Sequence, residues 1–167
     1  AAASMPSDAG GDAGGDAGSS MSQASCHAAI VDTAGNVLFS DASGRVLRVP
    51  SANALISNSA KVWLRSPLLE PKAPSHLGPK GLALVSGQLI ISSNDELFAA
   101  DPESKTPAST LRPIHLTEDG EAKTLCGPDG LSAVPNSKTD VIVVENGSCA
   151  GTPRSARVIR VTLDLAQ

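Results

Sequence analysis

Tyrosine is missing from this chain, and the other aromatics nearly so: Phe39, Phe98 and Trp63 are the whole set in 167 residues. Without such rings there is no platform on which successive bases could stack. A cationic excess is missing too, since 13 Lys and Arg face 17 Asp and Glu for a formal charge of −4. With no basic stripe to neutralise phosphates, nucleic acid is excluded as a partner. No apolar run approaches the roughly 18 residues that a membrane-crossing helix needs. No window carries a long apolar face of helical period either, so helix content should be low. The chain also lacks the motifs of common chemistry: no G-x-S-x-G elbow, no H-E-x-x-H, no C-x-x-C and no phosphate-cradling glycine loop. His27, His76 and His115 are scattered along it. Nucleophilic serine or cysteine catalysis therefore has no support.

What the chain does have is punctuation and a repeat. Its 15 Gly and 12 Pro separate many short apolar segments, and 41% of residues are hydrophobic. A core is available, built from Val, Leu, Ile and Ala. One pattern of strand, turn, strand, tight turn, strand occurs three times. It runs through Ala28–Val31, Val37–Ser40 and Arg45–Val49; then Gly81–Val85, Gln88–Ser92 and Glu96–Ala100; then Gly130–Val134, Asp140–Val144 and Arg157–Val161. Leu38, Ile90 and Ile142 are spaced 52 residues apart at equivalent places, so the unit is one supersecondary element repeated. This predicts an all-β fold, a partial β-propeller of about three four-stranded antiparallel blades. The expected blades cover about 26–66, 78–118 and 126–167. Arg45, Arg48, Arg157 and Arg160 alternate with Val or Leu and are expected on a solvent-facing side of the third strands.

Residues 1–25 are built from Ala, Gly, Ser and Asp, with Asp8, Asp12 and Asp16 each opening an Asp-Ala-Gly triplet. Such a stretch buries too little apolar surface to offset its ordering entropy and reads as a linker. A low-complexity leader of this kind accompanies exported propellers, which points to a secreted, periplasmic or cell-envelope location. Gln23 stands where a lipoprotein cysteine would have Leu three residues before it, so no lipid anchor is expected at Cys26. The other two cysteines bear on the compartment. With the third repeat's turn near Pro135–Thr139, antiparallel pairing brings Cys126 and Cys149 within one residue of direct opposition. Two readings stand: a Cys126–Cys149 disulfide formed in an oxidising compartment, or two free thiols in a reducing one.

Two segments mark the start of a repeat's first strand: Gly78-Pro79-Lys80-Gly81-Leu82 and Gly127-Pro128-Asp129-Gly130-Leu131. The second of these, with Val143-Val144-Glu145-Asn146 and Arg157-Val158-Ile159-Arg160-Val161, resembles a blade of the senescence marker protein, gluconolactonase and luciferin-regenerating enzyme family. Leu38-Phe39-Ser40-Asp41 followed by Gly44-Arg45-Val46-Leu47-Arg48-Val49 is similar to that family's first blade, and to NHL and YWTD blades. The resemblance implies a six-bladed propeller whose central channel holds a divalent cation, such as calcium, that polarises a sugar lactone for hydrolysis. On it, Asp129 is the metal ligand and His27, Lys80 and Asp129 are candidates to line the channel. Departures are plain: Cys26 or His27 stands where the family has Glu, and Lys80 where it has Asn. A lysine ammonium donates and cannot ligate a cation. A second reading of Pro128-Asp129-Gly130 is simply the turn into a strand, for which these residue types are suited.

Six such repeats need roughly 310 residues, so the chain holds under half a ring. A homodimer, or the missing remainder of a longer propeller, is the expected partner. Three functions follow: a binding or scaffold domain of an exported protein, related to sugar-lactone hydrolases but with an incomplete metal site; a divalent-metal-dependent lactonase or ester hydrolase; or a truncated, functionally silent fragment. The first is favoured because Asp129 lacks its partners.

Overall fold

The computed structural model describes residues 25–51, 60–72, 78–118, 121–147 and 155–165. Its short apolar segments form strands, and turn chemistry sets where each one stops. Blade 1 comprises β1 (Cys26–Val31), β2 (Val37–Asp41), β3 (Arg45–Val49) and β4 (Lys61–Arg65). Blade 2 comprises β5 (Leu82–Val85), β6 (Gln88–Ser93), β7 (Glu96–Ala100) and β8 (Arg112–Ile114), with the one-turn helix α1 (Pro107–Thr110) before its last strand. A small ribbon of β9 (Thr117–Glu118) and β10 (Glu121–Ala122) precedes blade 3, which comprises β11 (Pro128–Ala133), β12 (Asp140–Glu145) and β13 (Arg157–Thr162). Within each blade neighbours in sequence are neighbours in space, and every pairing is antiparallel. The fold is therefore all-β, three propeller-type sheets of four, four and three strands, and the described residues form no closed ring.

The turns show why register is kept. Ser86 and Gly87 both have positive φ, the two-residue hairpin geometry whose twist matches its strands. Gly81 answers a different need: a Cβ there would lie 2.6 Å from the Asp129 carbonyl oxygen, so the starts of β5 and β11 can approach only because residue 81 has no side chain.

β5 packs between β1 and β11, which makes the first strand of each sheet its inner one. Two apolar clusters fill the spaces between sheets. Leu38, Val46 and Leu64 of blade 1 meet Leu89, Ile91 and Phe98 of blade 2. Ala83, Ile90 and Leu97, from the other side of blade 2, meet Val141 and Val143 of blade 3. Strand alternation does this: β6 sends Leu89 and Ile91 to one neighbour and Ile90 to the other. Each such side chain, fully buried, contributes about 1.5–3 kcal/mol.

The expectation for the arginines needs correcting. Arg45 and Arg48 lie three residues apart in one strand and therefore on opposite sides, and the same holds for Arg157 and Arg160. All four meet acidic side chains on the first or second strands or the turn between them: Asp41, Asp32, Glu145 and Asp140 respectively. Charge pairing with a covered carboxylate decides their direction, across one tight turn for Arg45 and across 12 to 20 residues for the other three, which alternation with Val does not reveal.

Candidate functional site

The three sheets share one end, at which β1, β5 and β11 begin and β2, β6 and β12 finish. A repeated serine ties the inner strands together there. The Ser40 hydroxyl accepts from the Ala28 N–H at 2.8 Å and donates to the Lys80 carbonyl at 2.8 Å. The Ser92 hydroxyl accepts from the Gly81 N–H at 2.7 Å and donates to the Asp129 carbonyl at 3.4 Å. Each serine is fully buried and links its own blade's first strand to the start of the next blade. The equivalent position in blade 3 is Val144.

These clamps hold the main chain of Lys80 and Asp129 and so bring the two side chains together. Lys80 Nζ stands 3.9 Å from Asp129 Oδ1, with the lysine side chain 14% exposed and the aspartate 48% exposed. His27 has its own neighbour, its Nε2 lying 3.2 Å from the Ser25 hydroxyl, and is exposed. Of the three residues expected along a channel, two meet as an ion pair. An ammonium at this distance competes with any metal ion for the carboxylate. Among the described residues no three His, Cys, Asp or Glu side chains gather as a metal site would require. The charged group that the structure sets beside the Asp129 carboxylate is thus a cation.

Cys126 is buried, its N–H donating to Glu145 Oε1 at 2.7 Å. Its expected partner Cys149 lies outside the described residues, as do residues 1–24 of the leader and His76. Cys26 is an exposed free thiol.

Carboxylates around the blades are tuned by their partners. Burial alone would raise the Asp32 carboxyl, but the Asn36 side-chain amide, the Asn36 and Ala34 N–H groups and the Arg48 guanidinium hold it below the usual range. Asp41 is lowered in the same way against its burial, by the Ser43 N–H and hydroxyl and by Arg45. Arg160 chiefly, and Thr162, lower Asp140.

Two clefts went unseen in the sequence reading. One of about 590 Å³ sits at the same end of the sheets as Lys80 and Asp129, between Lys72, Asn94, Glu96, His115 and Lys123. The other, of about 600 Å³, lies beside β13 and is lined by Leu116, Lys123, Arg160 and Thr162. Both depend on the segments around 115–117 and 123–124, which lie against the start of β7 in the first cleft and against β13 in the second, a placement no local pattern carries.

No family model matches the chain, and no curated protein matches it. Among solved structures it is similar to the major allergen Mala s 1 of Malassezia sympodialis, with a TM-score of 0.50 and 17% identity over 80% of this chain and 40% of that one. It is also similar to a Trichoderma reesei protein of carbohydrate-active enzyme family AA12, in an iodide structure, with a TM-score of 0.50 and 15% identity over 75% of this chain and 31% of that one. The chain thus spans less than half the length of either. At such identity the likeness defines a class of fold, the propeller-type all-β proteins. The resemblance to the senescence marker protein, gluconolactonase and luciferin-regenerating enzyme family is overturned by these comparisons. The physical reason lies in Pro128-Asp129-Gly130, which opens β11 at an irregular step in its pairing with β12, a place where such residues meet backbone needs in any blade.

Proposed function

We propose that the chain is a non-catalytic binding domain of propeller type, which recognises its ligand at the end of the sheets where the inner strands begin. The observation that carries this reading is the Lys80 ammonium beside Asp129: this half-exposed carboxylate already has a cationic partner. The cleft between Asn94, Glu96, His115 and Lys123 opens at the same end and offers polar groups of both signs. Such a mixed surface orients a polar ligand by hydrogen bonds rather than by net charge. Export to an oxidising compartment, with Cys126 and Cys149 bridged, belongs to the same proposal. It predicts that Cys26 is the one thiol available to a maleimide reagent in the unreduced, unfolded protein.

Thermal melting of the full chain with calcium or magnesium, and with chelator, tests the central point. Neither ion nor chelator should move the midpoint, and Asp129→Asn should respond as the parent does. A calcium-dependent rise that Asp129→Asn abolishes would overturn the proposal in favour of a divalent-metal site.

A further inference from the structure

Among the described residues, blades 1 and 3 each have one flank packed on blade 2 and one flank with no sheet against it. On blade 1, Phe39 pairs with Ala29 on one side and Leu47 on the other, and Leu47 pairs with Val62. This row faces away from Leu38, which alternation turns towards blade 2. Val62 is 51% exposed, and Val31, on the same side, is 61% exposed. On blade 3, Ile142 pairs with Arg160 and Val144 with Val158, again away from Val141 and Val143, which meet blade 2. Val144 is 42% exposed and Val158 66%.

The two bare flanks are not alike; each repeats one half of a junction already built inside the chain. Blade 3's free flank copies the covered flank of blade 1: Ile142 stands for Leu38, Val158 for Val46 and Arg160 for Arg48, by strand pairing as well as by sequence. Arg160 reaches back to Asp140 as Arg48 reaches back to Asp32, so the charge is satisfied within the blade in both cases. Blade 1's free flank copies the covered flank of blade 2: Val37 stands for Leu89, Phe39 for Ile91 and Leu47 for Phe98. One surface is thus of the kind that receives the other, and one chain carries both.

We infer that a second copy of this chain docks head to tail, blade 3 of each on blade 1 of the other, so that two identical junctions close a ring of propeller type. A heterologous contact ordinarily runs on into a filament unless its rotation closes. Here two copies supply six sheets, within the roughly 4 to 8 blades of closed propellers, and leave no flank bare. Val144 occupies the position at which Ser40 and Ser92 tie one blade to the next, so the junction between copies lacks that polar clamp. The pairing is independent of any role for Lys80 and Asp129.

The test is the mass of the full chain by light scattering across a dilution series. The expected result is a species of twice the 16.8 kDa chain mass that gives way to single chains on dilution. Phe39→Asp on blade 1 and Val158→Asp on blade 3 should each halve the mass while leaving the far-ultraviolet circular dichroism of the sheets unchanged. Mixing the two variants should restore the doubled mass, because one wild-type junction remains between them. A single chain at every concentration overturns the inference. So does a pair insensitive to Phe39→Asp, which would join like flanks, and so does a ladder of higher masses, which would mean an open filament. Should one variant fail to fold, the other and the dilution series of the parent still decide.

Discussion

Strands β6 and β12 occupy equivalent places in blades 2 and 3, yet only one of them is buried on both sides. In β6 every residue from Leu89 to Ser93 is buried. In β12, Val141 and Val143 are buried while Ile142 is half-buried and Val144 exposed. Both strands carry long apolar runs, so composition does not separate them. What separates them is a neighbouring sheet. An apolar run marks a strand suited to cover on both faces, and among the described residues blade 3 has cover on one.

The sharpest way to break this comparison is to truncate the equivalent isoleucines. Ile90→Ala leaves a cavity in a two-sided core and should cost about 2–5 kcal/mol in chemical denaturation. Ile142→Ala, measured on single chains at high dilution, should cost less than about 1 kcal/mol, since its site is already partly open to water. Equal losses at the two positions would mean that blade 3 is covered as fully as blade 2.

The serine clamps supply the next largest contrast. Ser40→Ala or Ser92→Ala deprives an N–H and a carbonyl of the inner strands, buried or half-buried, of their partner and should cost about 1–3 kcal/mol. Val144→Ser, at the third equivalent position, should lie within about 0.5 kcal/mol of the parent, as surface changes do. Urea midpoints of the three variants rank them directly.

Acid sharpens the comparison further. The carboxyls of Asp32, Asp41 and Asp140 are lower in the folded chain than their ordinary 3.8. The unfolded chain therefore binds more protons as pH falls through 3.8 than the folded chain does, and stability present above that pH is lost on the way down. Melting points recorded between about pH 5 and pH 2 should fall steeply for the parent and less steeply for Asp32→Asn, which has one fewer group to protonate. The smallest effect belongs to Lys80→Met. Its partner Asp129 is half-exposed, so the loss should stay below about 1 kcal/mol by thermal melting.

Much of the fold could be read in advance from the 52-residue spacing of Leu38, Ile90 and Ile142 and from the glycines and prolines between the apolar segments. Strand alternation is local, and so is turn chemistry. The site was less legible. Local sequence marks Lys80 and Asp129 one by one, but their meeting depends on hydroxyls in β2 and β6 holding carbonyls of the following blade. The same holds for Arg48 and Arg160, since Asp32 and Asp140 come to them through sheet pairing. The family resemblance failed because short blade segments answer backbone requirements that many propellers share.

By itself, then, the order of residues determined that this protein forms short antiparallel strands in three similar sets, because apolar period and turn residues act within a few positions of themselves. The tertiary structure alone decided which flank of each sheet is covered, which carboxylate takes which arginine, and that an ammonium stands beside Asp129. Those outcomes depend on backbone groups and side chains brought together across sheets, and close packing between sheets is a property of their shared geometry rather than of any one segment.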